Sequence, residues 1–157
     1  MFHFTFAACA FAPPAWSKHE IAVPGWPSLP FPFSTGIVSC TSSSEELCTL
    51  HISGMQGTNF SATPPTRVAG GILNETAMAL YDIRQVAEAA GSSMDAITEC
   101  EVWLADINDF ETMNTAYSAI FTGPGKVAPT RIAAQTAKLA GGAKVEIKCT
   151  GLAPRPK

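Results

Sequence analysis

With 157 residues and a formal net charge of -3, the chain has room for one domain, or for one domain and a tail. Hydrophobic residues make up 46% and charged residues 15%, which is enough apolar material for a core and excludes disorder along the whole length. Ten Lys+Arg against thirteen Asp+Glu leave no basic footprint for a phosphate backbone, so no nucleic-acid partner is expected.

The N-terminal run MFHFTFAACAFAPPAW is apolar but lacks a basic start, and it is too short to span a bilayer. Ala8-Cys9-Ala10 imitates a cleavage site, with Pro13 and Pro14 badly placed just beyond it. The run reads as a loosely ordered extension in a cytoplasmic chain, with secretion or organelle import left open and no membrane partner expected. Asn59-Phe60-Ser61 and Asn74-Glu75-Thr76 are glycosylation sequons, meaningful only if the chain is secreted. Four prolines in PGWPSLPFP, 24–32, favour an extended lead-in over helix or sheet. The five cysteines Cys9, Cys40, Cys48, Cys100 and Cys149 contain no CxxC pair, which excludes structural zinc. Cys40 and Cys48 could bridge a loop in an oxidising compartment, but reduced, buried thiols are the expectation.

In chain order, strands are expected at 33–38 and 48–53, joined by the polar TSSSEE turn. A loop rich in Gly, Thr and Pro runs to about Gly71. Leu80, Ile83, Ala87 and Ala90 then recur three and four apart, the spacing of one helix face, and Gly91 stops that helix. Thr98, Cys100, Val102 and Leu104 alternate with Glu99, Glu101 and Trp103 as a half-buried strand does. Asn108 followed by Glu111 predicts an N-cap for a second helix bearing Phe110, Met113, Tyr117 and Ile120. Gly123-Pro124-Gly125 ends it. Strands at 130–135 and 143–150 follow, with Gly141-Gly142 as the turn of a hairpin between them. The order β-β-α-β-α-β-β implies an α+β layer, one sheet with two helices packed on one face.

In that hairpin Arg131 lies across from Glu146, both on the face away from the helices. One reading is a surface salt bridge, worth at most about 1 kcal/mol. The other is a carboxylate-binding arginine beside an acid that handles protons or water, in a cleft roofed by a second subunit; the planar guanidinium suits bidentate pairing. Uncharged Ala133 and Gln135 on the same strand suggest a face covered in an oligomer.

The stretches PFSTG (32–36), HISGMQ (51–56), EAAGSSMDAITECEVWLADINDF (88–110), MNTAYSAIF (113–121), APTRIA (128–133) and KVEIKC (144–149) resemble the reactive-intermediate deaminase family, also called Rid or YjgF. The resemblance implies a chorismate-mutase-like α+β fold and a homotrimer with active sites in clefts between subunits. Members with the full motif hydrolyse 2-imino acids, or their enamine precursors, to 2-oxo acids and ammonia, with no metal or organic cofactor. It places the substrate-carboxylate arginine at Arg131, its acidic partner at Glu146, the cleft backbone at Gly54 and a helix asparagine at Asn114. Two positions depart from the pattern: the usual cleft phenol is Phe33, and a frequent cysteine is Ala133. Both enlarge or dry the cleft, which suits a bigger imine.

The domain plan is an extension at 1–30, a deaminase-like domain at 31–152 and a short basic tail at 153–157. On the implied mechanism Arg131 grips the carboxylate, backbone near Gly54 fixes the C=N plane, and Glu146 directs a water at the imine carbon. His51 is expected to be structural. The competing readings are a carboxylate-binding or chaperone-like trimer without turnover, a deaminase for a larger pathway imine, and a ribonuclease, which the acidic balance disfavours.

Overall fold

The computed structural model describes residues 16–28 and 32–157. The sequence expectations for the extreme N-terminus, including the cleavage-site-like Ala8-Cys9-Ala10, lie outside the described residues. Eight strands and two helices follow one another: β1 (Ser17–Glu20), β2 (Gly36–Cys40), β3 (Leu47–Met55), β4 (Thr58–Asn59), β5 (Thr66–Arg67), α1 (Gly71–Ala89), β6 (Ile97–Leu104), α2 (Phe110–Phe121), β7 (Thr130–Gln135) and β8 (Val145–Pro154). The main sheet has the order β1-β2-β3-β8-β6-β7, and β4 pairs with β5 as a separate small hairpin. Only β6 and β7 run parallel within the main sheet. Among the described residues, no helix is long and apolar enough to cross a membrane.

Alternation fixes which face meets the helices. Cys48, Leu50 and Ile52 of β3, Cys100, Val102 and Leu104 of β6, and Val145, Ile147 and Cys149 of β8 are all buried. Ile72, Thr76, Ala79, Leu80, Ile83, Val86 and Ala87 of α1 repeat at helical spacing and are buried as well, as are Met113, Ala116, Tyr117 and Phe121 of α2. Burying each large aliphatic among them is worth about 1.5–3 kcal/mol. Helix α1 ends in a Schellman motif: Ser92 N–H donates to Ala87 O and Gly91 N–H to Glu88 O. Gly91 takes the left-handed φ of 72° that this closure requires.

The expected final hairpin is not formed. β7 pairs in parallel with β6, and β8 inserts between β3 and β6. The physical reason is burial. Inward residues of β8 are at most 1% exposed from Val145 to Cys149, so this strand belongs in the middle with two partners. β7 leaves Ile132 62% exposed and occupies an edge. The Gly141-Gly142 pair instead sits in a short 3-10 turn, Ala140–Gly142, leading into β8.

Four further expectations are corrected. Within the extension expected at 1–30 to be loosely ordered, β1 extends the sheet beside β2, and Ile21 and Val23 enter the core. The tail is anchored too, because β8 continues to Pro154 and the Arg155 guanidinium donates to the Glu45 and Ser42 carbonyls. Asp106, not Asn108, supplies the cap, at the 3-10 turn Ile107–Asp109 that leads into α2; its carboxylate accepts from Asn108 N–H at 2.9 Å. Finally, four cysteines are not free thiols. Cys40–Cys48 and Cys100–Cys149 are disulfides with Cα–Cα separations of 4.7 and 4.2 Å. Cys100 and Cys149 face each other directly in the β6–β8 register, a pairing that no reading of spacing could supply before the strand order was known.

Candidate active site

The expected site residues fall into two groups on opposite faces of the sheet. Glu146 of β8 pairs with Trp103 of β6 and, alternating with buried Val145 and Ile147, points away from the helices. Arg131 of β7 pairs with Cys100, and Ala133 with Val102. Both partners are inward-facing, so Arg131 and Ala133 lie on the helix side. The expected same-face arrangement of Arg131 and Glu146 is therefore corrected: it followed from the hairpin that β8 does not make. Two strands across and three residues along separate the two Cα atoms by roughly 14 Å.

The first group lines an open cleft of about 660 Å³. Its floor is the β3–β8 seam. Register there slips between Ile52 and Met55, a bulge that turns Gly54 toward the acid. A Cβ at Gly54 would collide with the Glu146 carboxylate, so the acid's position depends on a bare backbone there. Gln56 Nε2 donates to Glu146 Oε2 at 2.6 Å. Phe33 and Thr35 form one flank, while Thr58, Phe60 and Pro65 of the β4–β5 hairpin, with Ala140, form the other.

Buried carboxyl groups brace that second flank. Glu75 of α1, 6% exposed, accepts from Lys144 N–H at 2.8 Å and lies 4.0 Å from Arg67 Nε. Arg67 Nη1 also donates to Gly141 O at 2.9 Å, tying β5 to the turn that carries Ala140. Two turns further along the same stripe of α1, Asp82 is 1% exposed and accepts from Thr58 N–H. Burial pushes its carboxyl up to about 8, against the opposing pull of that hydrogen bond. Its Oδ2 has no partner among the described residues.

The second group gathers around Arg131. Its guanidinium carbon lies 4.5 Å from the Tyr117 ring centroid and 5.6 Å from that of Phe110, so two α2 rings hold the cation by their π faces. Asn114, half-buried, lies on the same helical stripe between them. Burial pushes the Tyr117 phenol up to about 12, with Arg131 pulling it down; the ring stays neutral in any physiological medium. Among the described residues Arg131 makes no ion pair. Its fork is free to take an anion.

Sequence reasoning missed Gln56, Phe110 and Tyr117 as parts of these groups. Gln56 stands two residues beyond Gly54, and Tyr117 lies one turn beyond Asn114; both spacings were available as signals. His51, expected to be structural, lies on the open face with Nε2 3.0 Å from Ser39 Oγ, outside either group. Among the described residues no three of His, Cys, Asp and Glu gather as a metal-ion site would need.

A family model described as Endoribonuclease L-PSP matches residues 43–153. A 2-iminobutanoate/2-iminopropanoate deaminase from Mus musculus is 37% identical over 100 residues, spanning 64% of this chain and 70% of that protein. Its namesake from Homo sapiens is 35% identical over 104 residues, 66% and 72% of the two chains. Among solved structures, the Rid-family protein YyfA from Yersinia pestis superposes with a TM-score of 0.73 at 27% identity, covering 86% of this chain and 98% of that one. The YjgF gene product from E. coli gives 0.69 at 25% identity, covering 88% and 99%.

Proposed function

The chain belongs to the endoribonuclease L-PSP family, the Rid/YjgF proteins, and on that premise we propose that it hydrolyses reactive 2-imino acids to 2-oxo acids and ammonia in clefts shared between copies of the chain. Kinship with relatives named as deaminases at about 35% identity makes a deaminase-like hydrolase its class. One observation carries the shared-cleft reading. The free cation at Arg131 and the acid at Glu146 stand on opposite faces of one sheet, too far apart for a single chain to hold one small molecule between them.

A second copy solves this if its Arg131 edge covers the Glu146 cleft. Exposed apolar groups beside Arg131 support such a contact: Val127 is 91% exposed and Ile132 62%. Contact between two different patches is head-to-tail and closes most simply as a ring, which agrees with the homotrimer implied by the resemblance. The substrate's carboxylate then pairs with Arg131, held in aim by Tyr117 and Phe110, with Asn114 and Ala133 alongside. Gln56 and the Gly54 backbone fix Glu146 against the imine carbon. Glu146 takes a proton from an attacking water and returns one to the departing ammonia. Two disulfides favour an oxidising compartment over the cytoplasm first expected.

The test generates 2-iminobutyrate with an amino-acid oxidase and follows its decay by semicarbazide trapping, with wild type and Arg131→Ala. Accelerated decay by wild type alone is expected, with at least a hundredfold loss in the variant, the order found when a transition-state contact is removed. Tight binding of 2-oxobutyrate with no acceleration would replace the deaminase by a carboxylate-binding protein.

A further inference from the structure

We propose that the preferred substrates are imines of 2-amino acids with aromatic side chains, an inference that rests on the deaminase reading above and narrows it. In the single chain, before a second copy covers it, the cleft measures about 660 Å³, of which a three- or four-carbon imino acid fills a small part; spaces of roughly 300–1,000 Å³ enclose drug-sized molecules. The chemistry of the walls says what the remainder takes. Polar groups cluster on the sheet side, where Glu146, Gln56 and Ser53 meet the reacting atoms. The facing wall is apolar: Phe60, Pro65 and Ala140, with Phe33 at the rim. A small substrate leaves that wall wet, whereas a planar ring covers it and gains offset or edge contacts with Phe60 and Phe33.

The space is built rather than incidental, because the apolar wall is held back from the floor. Phe60 stacks on Trp26 with ring centroids 4.2 Å apart and planes inclined by 26°, which keeps its ring out of the cleft. Arg67 fastens the β5 end of the hairpin to Gly141 O, and Glu75 fastens the start of β8 through Lys144 N–H. Thr58 N–H is held by Asp82 from behind. None of these braces reaches the reacting atoms, and together they oppose collapse of the wall onto Glu146.

The reaction balances without an oxidant. Water adds its oxygen to the imine carbon of R–C(=NH)–COO⁻, the carbon–nitrogen bond breaks, and two hydrogens of the water leave on nitrogen as NH₃, giving R–CO–COO⁻. For an arylmethyl R, as in the imine of phenylalanine, the product is an arylpyruvate. Its ring lies against Phe60 and Pro65, while the carboxylate is turned toward the incoming Arg131.

An amino-acid oxidase acting on phenylalanine or on 2-aminobutyrate supplies the two imines, and semicarbazide trapping gives kcat/KM for each. Expected is a preference of about tenfold or more for the aromatic imine in wild type. Ala140→Leu, which places a side chain in the cleft from an exposed turn, is expected to lower the aromatic-to-aliphatic ratio by about tenfold. That ratio is internal to each preparation, so partial misfolding does not imitate the effect. Acceleration of both imines with the four-carbon one preferred, and a ratio unmoved by Ala140→Leu, overturns the aromatic preference and leaves the deaminase standing. Acceleration of neither imine overturns both.

Discussion

The Glu146 region and the Arg131 region are built on opposite plans. Around Glu146 every wall is supplied by one chain: a bulge delivers Gly54, Gln56 bonds the carboxylate, and buried Glu75 and Asp82 brace the hairpin behind it. Around Arg131 there is an edge strand, a cation resting on two rings, and exposed Ile132 next in sequence. Among the described residues that guanidinium has no carboxylate partner, and an edge strand with bare apolar groups invites association. On the proposed shared cleft, the acid half is finished by folding and the cation half by assembly.

Mixing breaks or confirms that division most sharply. Arg131→Ala and Glu146→Gln are each expected to be nearly inactive. Unfolded together and refolded at equal amounts, they are expected to regain about a quarter of wild-type activity, since random association leaves about one contact in four with both native groups. Recovery of nothing, from oligomers shown to be mixed, would mean that the two groups do not serve one site. Next in size is Gly54→Ala. Its methyl group meets the Glu146 carboxylate, so kcat is expected to fall at least tenfold while a thermal melt moves little, because Gly54 lies at the surface of the cleft rather than in the core.

On the cation side, Tyr117→Phe and Tyr117→Leu separate the ring from its hydroxyl. The phenol oxygen is buried without a partner among the described residues, so its loss is expected to be nearly neutral. Loss of the ring removes a cation–π contact worth about 0.5–2 kcal/mol, and KM for the imino acid is expected to rise by roughly two- to thirtyfold. Equal KM values in the two variants would show that the ring does not aim Arg131. A stability comparison joins the two halves. Cys100–Cys149 closes a 49-residue separation and Cys40–Cys48 one of 8. Loop entropy makes their removal cost about 4 and about 2.5 kcal/mol respectively. Melting of Cys100→Ser and Cys40→Ser checks the order; a larger drop for Cys40→Ser would contradict it.

Much of this was legible in the sequence because periodicity reports local environment. Both helices, the alternation of β6 and the positions of β7 and β8 follow from spacing three and four or spacing two. The α+β class and the motif residues Arg131, Glu146, Gly54, Asn114, Phe33 and Ala133 were nameable from the chain alone. What spacing does not carry is which strands meet. Two successive strands with a glycine pair between them read as a hairpin, and only the full burial of Val145, Ile147 and Cys149 against helices on one side shows that β8 needs neighbours on both edges. That single misplacement put Arg131 on the wrong face and concealed the Cys100–Cys149 pair. β1 escaped notice for a related reason: four residues flanked by prolines carry no period, and their order comes from the edge of β2.

A pH series tests whether the acid half is braced by a neutral group. Asp82 has its carboxyl pushed from the usual 3.8 up to about 8 by burial, so between those values the folded chain keeps a proton that the unfolded chain has released. Folding stability from this group is therefore full below about pH 4, declines as pH rises toward 8, and is lost above it. Asp82→Asn keeps an acceptor for Thr58 N–H and cannot ionise. Its melting temperature relative to wild type is expected to climb from pH 5 to pH 8.5, with each kcal/mol appearing as about 2–4 °C. Parallel melting curves across that range would mean that Asp82 is ionised in the folded chain and that water or a cation reaches Oδ2. The wall carrying Thr58 and Phe60 would then be held by a charge, and the cleft would loosen on acidification rather than on alkalinisation.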